Sequence, residues 1–554
     1  MKGIYDESEK YYSIIDGVES KVRKTFATNH ITYSGVSLQK LLEVNAQKAL
    51  EDAVFVFGNR CISYLELDLL CNQFANGLLS LGVAKNDRVA LYLPNIPQFV
   101  IAYFGALRAG AIVTTISPLW REQESQRQLY ITGAQTIVTL DTLYPIVETI
   151  LEKTFLENVI VTEVGEYGNS TVSRERIAGT INFGTLMALA SESIPDITVD
   201  SKKNLAVLQF TGGTTGTAKA AMLTHHNLVS NALSFATVIG ATQRDIFLSA
   251  LPLFHSYGMT TGLVVPISLG AKIVLLPKFE TDKVGEIIQR HHITVFCGVP
   301  TMYQRLLADA TFTSYDLSSL RVCISGACAL PLQVQKHFKD VTGKSLVEGY
   351  GLTEASPITH CTPMEGTRDL RMGSIGLPLP DTEAKIVDWQ TGEKTLAPME
   401  IGELTVRGPQ VMAGYWHQPD ETNRVLCNGW LLTGDLAYMD NDGYYYIVDR
   451  KKDLIKYKGT SIYPRELEEV LYTHPAVELC SIVGVSDVSS GEIPKAYVVL
   501  REAVYVSEQD LKEFVNTQVA SYKALNEIEI VDSLPQSPAG KVLKRCLTAK
   551  TYEQ

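Results

Sequence analysis

Strand-like and helix-like segments alternate through the first part of this chain, and this alternation is the strongest constraint on its fold. Ser63 has capping-box spacing to Glu66, and apolar residues then recur at helical period. The apolar run 88–93 predicts a strand, and the next segment predicts a helix over 97–108 that ends before Gly110. The same order recurs around 271–277, 293–300 and 320–326. The pattern predicts a layered α/β architecture with parallel sheets.

The character of the sequence changes after this region. Over about 372–450, short strand-like segments joined by Gly/Pro turns predict a β-rich subdomain. The charged run 451–453 follows, and Pro464 then opens a helix within an α+β pattern that is long enough for a separate domain. We therefore predict a large N-terminal domain, residues 1–451, that includes the β-rich subdomain. A small C-terminal domain is predicted over residues 452–554.

Composition excludes several classes of protein. The 554 residues are 45% hydrophobic and 20% charged, as in ordinary globular proteins, and the net charge of −12 disfavours nucleic acid as a partner. The sequence shows no secretory signal and no apolar stretch long enough to cross a bilayer, so we expect a cytoplasmic protein without a transmembrane segment. Nine scattered cysteines without a C-x-x-C pair support neither a zinc site nor a disulfide framework. The oligomeric state stays open, a homodimer included.

A stretch rich in glycine and threonine, TGGTTGTAK, follows the apolar run that ends at Phe210. Glycines let backbone N–H groups approach a ligand closely, and threonine hydroxyls add donors, which together suit a phosphate. The nucleotide P-loop pattern does not fit, because Lys219 follows Ala218 and is itself followed by Ala220 instead of a hydroxyl residue. Taken alone, the stretch is explained equally well as a surface loop whose glycines serve turn geometry.

Further stretches combine glycine with polar residues in a similar way. They are EGYGLTEASP at 348–357, GWLLTGDLAY around Asp435, DRKKDLIKYKGTSIYPRELEEV at 449–470, and SLPQSPAGKVLKR, which contains Lys541. Each stretch taken singly is explained by turn chemistry. Their common order and spacing require another explanation.

In this order, the motifs resemble those of the adenylate-forming superfamily of acyl-CoA synthetases, nonribosomal adenylation domains and luciferases. The resemblance runs from about Tyr33 to Lys550, and the TGG that starts the loop is most similar to the fatty-acyl-CoA ligases. It implies an AMP-forming acid–thiol ligase that activates a medium- or long-chain fatty acid with ATP. The acyl-adenylate then passes its acyl group to coenzyme A. ATP, Mg²⁺, coenzyme A and the small-molecule acid are the ligands that the resemblance implies.

The resemblance also implies roles for individual residues. Lys541 reaches both the substrate carboxylate and the α-phosphate, and Lys219 belongs to the phosphate-binding loop. Glu354 holds Mg²⁺, with Thr211 as a further metal-binding residue. Tyr350 stacks on adenine, and Asp435, helped by Arg450, accepts hydrogen bonds from the ribose. The implied nucleotide-binding residues are Thr211, Gly212, Gly213, Thr214, Thr215, Gly216, Thr217, Lys219, Gly326, Ala327, Gly349, Tyr350, Gly351, Thr353, Asp435, Arg450 and Lys541.

The family performs its second reaction by rotating a mobile C-terminal domain about a hinge, which falls on Lys452. After rotation, Lys456 would face the thioester-forming site, and Gly459 would leave room for the pantetheine arm of coenzyme A. The implied residues of the acid-binding site are His255, Tyr257, Gly258, Gly326 and Gly351.

Several alternatives stay open at this point. Gly258 and Gly262, four residues apart, are explained either by passage of an acyl chain or by close packing. Tyr350 is also explained as a core residue, and Asp435 is also explained as a residue that caps a turn. An aryl or short hydroxy acid is a different substrate for the same chemistry. A catalytically silent protein that binds nucleotides or acyl-adenylates is an alternative of another class, and a luciferase-like oxygenase is a third.

Overall fold

Two large sheets organise the first two thirds of the chain in a computed structural model. The structure describes residue 31 and residues 35–48, 52–167, 177–211, 218–364, 371–487, 489–502, 504–537 and 540–552. The first sheet has seven strands, and all neighbouring pairs are parallel except the last, which is an antiparallel hairpin. Their spatial order is Ile181–Asn182, Asn158–Thr162, Thr136–Leu140, Arg88–Tyr92, Ile112–Thr115, Leu205–Phe210 and Ala220–Thr224.

The second sheet has nine strands with a parallel centre and antiparallel pairs at both ends. Their spatial order is Leu377–Pro378, Ile358–Cys361, Leu346–Gly351, Val322–Ser325, Val295–Gly298, Ile246–Ser249, Lys272–Leu275, Ala53–Phe57 and Arg60–Ser63. In parallel sheets the polar loops gather at the carboxyl ends of the strands. The loops after Val322–Ser325 and Leu346–Gly351 carry Ala327 and Thr353, which belong to the predicted site.

Helices cover these sheets. They comprise Leu38–Lys48, Tyr64–Ser80, Pro97–Arg108, Glu122–Thr132, Tyr144–Ile150, Phe183–Leu189, His225–Val238, Ser256–Met259, Val265–Leu269, Thr281–His291, Pro300–Ala308, Leu332–Thr342 and Pro419–Val425. A π-helical segment, Thr260–Val264, and short 3₁₀ turns complete them. The helix Pro97–Arg108 is buried along its whole length, as expected for an apolar helix inside a layered core. Among the described residues, no helix is both long and apolar enough to cross a lipid bilayer.

The third sheet is the predicted β-rich subdomain. It contains the strands Glu383–Val387, Gly402–Arg407, Leu426–Cys427, Trp430–Met439 and Tyr445–Arg450, all paired antiparallel. Alternating burial along Trp430–Met439 is interrupted near Asp435, where the strand pairs with Arg450 through an irregular register. The sheet therefore presents these two polar residues side by side at its edge.

The fourth sheet follows the turn at 451–453 and packs around its own apolar core. Its strands are Ile455–Tyr457, Thr460–Ile462, Val477–Asp487, Gly491–Leu500 and Glu527–Ile530, and its helices are Pro464–Tyr472, Glu508–Asn516 and Lys544–Tyr552. Pro464 opens its helix as the sequence predicts. The mixed α/β class, with a large layered part and a smaller α+β part, is confirmed.

Candidate active site

The glycine- and threonine-rich stretch connects the two strands of the hairpin at the end of the first sheet. Phe210 pairs with Ala220, and the backbone N–H of Thr211 donates to the carbonyl of Lys219 at 2.9 Å. Residues Gly212, Gly213, Thr214, Thr215, Gly216 and Thr217 lie outside the described residues. The hairpin therefore fixes the two ends of the loop, and it directs Lys219 toward the β-rich subdomain.

Lys219 lies in a cluster that the sequence motifs did not reveal. Its Nζ is 2.5 Å from Glu421 Oε2 and 5.2 Å from the ring centroid of Tyr415. The Tyr415 hydroxyl donates to Glu354 Oε1 at 2.7 Å, and the Met412 N–H donates to the Glu354 carbonyl at 2.8 Å. The tyrosine thus joins the predicted phosphate-binding lysine to the predicted metal-binding glutamate. No local pattern predicts this contact, because Tyr415 and Glu354 are 61 residues apart.

A second cluster joins Tyr350, Asp435 and Arg450, as the sequence motifs imply. The Tyr350 hydroxyl donates to Asp435 Oδ2 at 2.6 Å, and Arg450 Nε lies 3.2 Å from Asp435 Oδ1. Burial, and the negative charge of Asp435, hold the pKa of Tyr350 well above its usual value, so the phenol stays a donor. The carboxylate of Asp435 is 5% exposed and paired on both oxygens.

Glu403 fixes the backbone around this cluster. One of its carboxylate oxygens accepts from the Gly434 N–H at 3.0 Å, and the other lies 3.2 Å from Lys451 Nζ. Gly434 has a φ of +74°, a left-handed conformation that glycine adopts without strain. Glu403 is buried, so it ties the residue before Asp435 to the turn that joins the two domains. Sequence reasoning missed it, since it lies in an ordinary strand.

Lys541 reaches this cluster from the C-terminal domain. The Lys541 N–H donates to Ser537 Oγ at 3.2 Å, and the Ser537 N–H donates to the Lys541 carbonyl at 2.7 Å, so two hydrogen bonds to Ser537 hold the backbone of the lysine. Burial first, and then the charge of Arg450, lower the pKa of the Lys541 ammonium to about 8. Asp435 acts in the opposite direction. The lysine therefore lies within electrostatic reach of residues of the large domain.

His255 borders the same space. Its Nδ1 accepts from the Tyr257 N–H at 3.3 Å and caps the short helix Ser256–Met259. Burial, and then the positive charge of Lys541, lower the pKa of His255 to about 4, so the imidazole is neutral at neutral pH. The structure thus brings His255 and Lys541 together and gives the histidine a capping role as well.

Close packing explains the glycines of the predicted acid-binding site. A Cβ added to Gly258 would lie 2.2 Å from the Pro252 carbonyl oxygen, and one added to Gly262 would lie 2.5 Å from Ser249 Oγ. A Cβ at Gly326 would lie 2.8 Å from the Tyr257 ring. Of the two explanations left open by the sequence, the structure supports close packing at both Gly258 and Gly262.

The backbone is constrained in the strands Val322–Ser325 and Leu346–Gly351 and in the loops that follow them. Ala327 has a φ of +66°, which is unusual for a residue with a Cβ and is typical of functional loops. A Cβ at Gly349 would lie 3.2 Å from Ile324 Cγ2. Thr353 Oγ1 lies 3.2 Å from Ser256 Oγ, which joins this loop to the helix that His255 caps.

Gly351 offers a test of this packing. A Cβ there would lie 2.0 Å from the Pro357 carbonyl oxygen, so the backbone must move to admit one. We expect Gly351→Ala to lower the free energy of unfolding by about 1–3 kcal/mol, the usual cost of overpacking. Denaturant unfolding measures this, and Gly184→Ala is the control because it lies in a helix with no contact shorter than 3.5 Å. Equal stability of the two variants would contradict the packing argument.

The residues predicted for coenzyme A do not lie in this cluster. Lys456 is exposed, and its Nζ donates to Ser461 Oγ at 2.7 Å and lies 5.1 Å from the ring centroid of Trp389. Gly459 has a φ of +83° in the two-residue turn after Tyr457, which requires such a conformation. The turn alone therefore explains this glycine. Lys452 lies in the turn between the third and fourth sheets, where the hinge is predicted.

Comparison with known proteins agrees with this arrangement. Residues 42–416 match the family model described as AMP-binding enzyme, and residues 466–541 match its C-terminal domain. A long-chain-fatty-acid–CoA ligase of Bacillus subtilis (strain 168) is 39% identical over 534 residues, which cover 93% of this chain and 95% of that protein. The enzyme of the same name from Escherichia coli O157:H7 is 36% identical, covering 92% and 93%.

The crystal structure of an anthranilate CoA ligase in complex with anthranoyl-AMP has the same architecture. It superposes with a TM-score of 0.85 at 28% identity, over 93% of this chain and 97% of that one. The family model alone covers well over half of the 554 residues. The chain is therefore a member of the AMP-binding enzyme family, the adenylate-forming superfamily that its motifs predicted.

Proposed function

We propose that this protein is an AMP-forming fatty acid–CoA ligase. The observation that carries the proposal is the electrostatic interaction of the buried Lys541, in the C-terminal domain, with Arg450 and Asp435 of the Tyr350–Asp435–Arg450 cluster in the large domain. Such an enzyme joins the acid to the α-phosphate of ATP, releases pyrophosphate, and then transfers the acyl group to the thiol of coenzyme A with release of AMP.

The first step brings a carboxylate to a polyanion, so the site must supply positive charge. Lys541 and Lys219 are the two cations proposed for this purpose, one from each side of the nucleotide. A cation about 4 Å from a developing charge contributes roughly 4 kcal/mol at a mid-range effective dielectric. That energy corresponds to about a thousandfold in rate. Neutral His255 can stand beside the substrate carboxylate without competing with Lys541 for charge.

The nucleotide would be oriented by the other residues of the site. Asp435, already fixed by Tyr350 and Arg450, presents its carboxylate to the ribose hydroxyls. The Tyr350 ring, which packs edge-on against His360 at 5.9 Å between centroids, offers a face to adenine. Gly326, Ala327, Gly349 and Gly351 supply backbone with little side-chain bulk around it. The loop from Thr211 to Lys219 would hold the β- and γ-phosphates.

Magnesium fits the donors that are present. Glu354 offers a carboxylate that the Tyr415 hydroxyl holds in place, and Thr353 and Thr211 offer hydroxyls. Mg²⁺ is commonly bound by one or two carboxylates together with substrate phosphates and water. Glu354 would therefore hold the ion that accompanies ATP, and the ion would neutralise charge on the phosphates.

The second step needs a different arrangement, since Lys541 would stand beside the acyl carbonyl in the first step and coenzyme A needs a path to that same carbonyl. We propose that residues 452–554 move as one domain about Lys452 relative to residues 1–451. Lys456 would then leave Trp389 and enter the site, and Gly459 would line the path of the pantetheine arm. The separate apolar core of the fourth sheet supports movement as a unit.

The substrate class rests on the relatives. Two of them, at 39% and 36% identity, are named long-chain-fatty-acid–CoA ligases, and the superposed anthranilate ligase marks the aryl alternative. Pyrophosphate release over a panel of palmitate, octanoate, benzoate, 4-coumarate and malonate tests the choice. We expect activity with the two fatty acids. A preference for an aryl acid would change the assigned substrate class. Failure to form AMP with any of these acids would support the alternative of a catalytically silent binding protein.

The pKa of Lys541 gives this proposal a pH dependence. Because burial lowers that pKa from 10.5 to about 8, the ammonium loses its proton at a lower pH than an exposed lysine does. We expect kcat/KM for pyrophosphate release to fall as pH rises through about 8, since kcat/KM reports the free enzyme. The arginine of Lys541→Arg keeps its charge at these pH values, so the fall in kcat/KM should shift to a higher pH. An identical profile for both proteins would contradict the assignment.

A further inference from the structure

One helix of the C-terminal domain, Pro464–Tyr472, makes buried polar contacts with the large domain near the active site. The Arg465 N–H donates to Asp449 Oδ2 at 2.9 Å, and its guanidinium donates to the Ile447 carbonyl at 2.9 Å. Arg465 Nη2 also lies 3.8 Å from Glu348 Oε2. All three partners precede the turn at 451–453, so Arg465 connects the two sides of the proposed hinge.

Glu348 is the most deeply buried of these partners. It is 5% exposed and lies two residues before Tyr350 on the same strand, Leu346–Gly351. Burial raises the pKa of its carboxyl group to about 7; the charge of Arg465 and the Leu330 N–H counteract that rise, and the negative charge of Glu469 adds to it. A buried carboxylate requires a partner, and a partner that comes from a movable domain makes the charge balance depend on docking.

Glu469 lies four residues after Arg465 on the same helix, and therefore on the same face. The Leu332 N–H faces its carboxylate. Leu332 is the first residue of the helix Leu332–Thr342 in the large domain. A carboxylate at the first turn of a helix satisfies a free N–H and interacts favourably with the helix dipole. Arg465 thus contacts the large domain directly, and Glu469 interacts electrostatically with a second point, the first turn of that helix.

Two other contacts join the domains. Gln304 Nε2 donates to the Glu478 carbonyl at 3.3 Å, and Lys456 Nζ lies over the Trp389 ring at 5.1 Å. Neither contact involves a buried charge. The helix Pro464–Tyr472 therefore provides the stronger polar attachment among the described residues.

We propose that Arg465 and Glu469 form a clasp that holds the C-terminal domain in the orientation that delivers Lys541, and that this clasp must open before Lys456 can act. The inference rests on the proposed function, and both residues are positioning residues. Glu348 shares a strand with Tyr350, so the clasp contacts the strand that carries the residue proposed to stack on adenine.

Separate assays of the two half-reactions in the full chain test this proposal. Arg465→Ala should lower pyrophosphate release with palmitate by about five- to thirtyfold, in keeping with the loss of a buried charged contact. Thioester formation from supplied palmitoyl-adenylate should be unchanged or faster. Arg465→Lys should recover part of the loss, and Glu469→Gln should show a smaller bias in the same direction. Arg501→Ala, an exposed arginine of the same domain, is the matched control.

Trypsin cleavage at the proposed hinge provides a readout that is independent of catalysis. Residues 450–452 are all basic and are therefore sites for trypsin. An open clasp should speed cleavage in Arg465→Ala but not in Arg501→Ala. Equal loss of both half-reactions, or no change in either, would overturn the proposal, as would unaltered cleavage. If wild-type protein releases no pyrophosphate, the proposed function fails instead, and faster cleavage of Arg465→Ala still reports on the clasp.

Discussion

Replacing Lys541 with alanine should lower the rate of pyrophosphate release by about a thousandfold, the equivalent of roughly 4 kcal/mol of lost charge stabilisation. The reason is electrostatic, because Lys541 is a buried cation of the C-terminal domain that interacts with the charges of Arg450 and Asp435. Arg450 itself is paired with Asp435 and cannot take over the task. Formation of the thioester from a supplied acyl-adenylate should stay within about threefold of wild type, since that step does not need a cation at the α-phosphate.

The two half-reactions are measured separately, by pyrophosphate release without coenzyme A and by thioester formation from the acyl-adenylate. Lys456→Ala is the matched comparison and should show the opposite bias, because Lys456 now contacts Ser461 and Trp389, outside the cluster. Equal loss of both half-reactions in both variants would contradict a two-orientation mechanism. Thermal unfolding of each variant checks that the fold is intact.

Local elements of the fold were predictable because their causes are local. The helix over 97–108 begins with a proline at its first position and ends before Gly110, whose φ is +78°. Ser63 caps the helix Tyr64–Ser80 by accepting from the Glu66 N–H at 3.1 Å. The order of strands in the two large sheets was not predictable. It depends on pairings between distant segments, such as Phe55 with Ile273, for which one sequence carries no local pattern.

The residues of the site also divide into those that a local motif identifies and those whose role depends on distant partners. Tyr350, Asp435 and Arg450 were identified through motifs that resemble a family, and the structure brings them into direct contact. Arg465 lies in the motif at 449–470 and Tyr415 lies in none of the motifs, and the importance of each comes from a partner far away in the chain, Glu348 and Glu354 respectively. A motif shows which residues accompany one another along a sequence. It does not show which side chain holds another in place.

Asp435→Asn should raise the Michaelis constant for ATP by about 10- to 100-fold with a smaller effect on kcat, because hydrogen bonds to a charged acceptor are worth about 1.5–3 kcal/mol. The substitution keeps the shape of the side chain and removes its charge. Arg450 then loses the carboxylate that lies 3.2 Å from its Nε. The ribose hydroxyls lose the charged acceptor at the same time and retain only a neutral amide oxygen, so binding suffers more than chemistry. Initial rates of pyrophosphate release over a range of ATP concentrations measure both constants.

Tyr350→Phe separates the charge of Asp435 from its hydrogen bond. It removes the donor 2.6 Å from Asp435 Oδ2 and keeps the ring that is proposed to stack on adenine. The lost hydrogen bond is made to Asp435 and not to ATP, so only part of its energy should appear in nucleotide binding, and the Michaelis constant for ATP should rise only about fivefold. A rise in Tyr350→Phe as large as in Asp435→Asn would mean that the tyrosine acts chiefly by orienting the carboxylate. An unchanged constant in Asp435→Asn would remove Asp435 from the ribose site and place it among the structural residues of the third sheet.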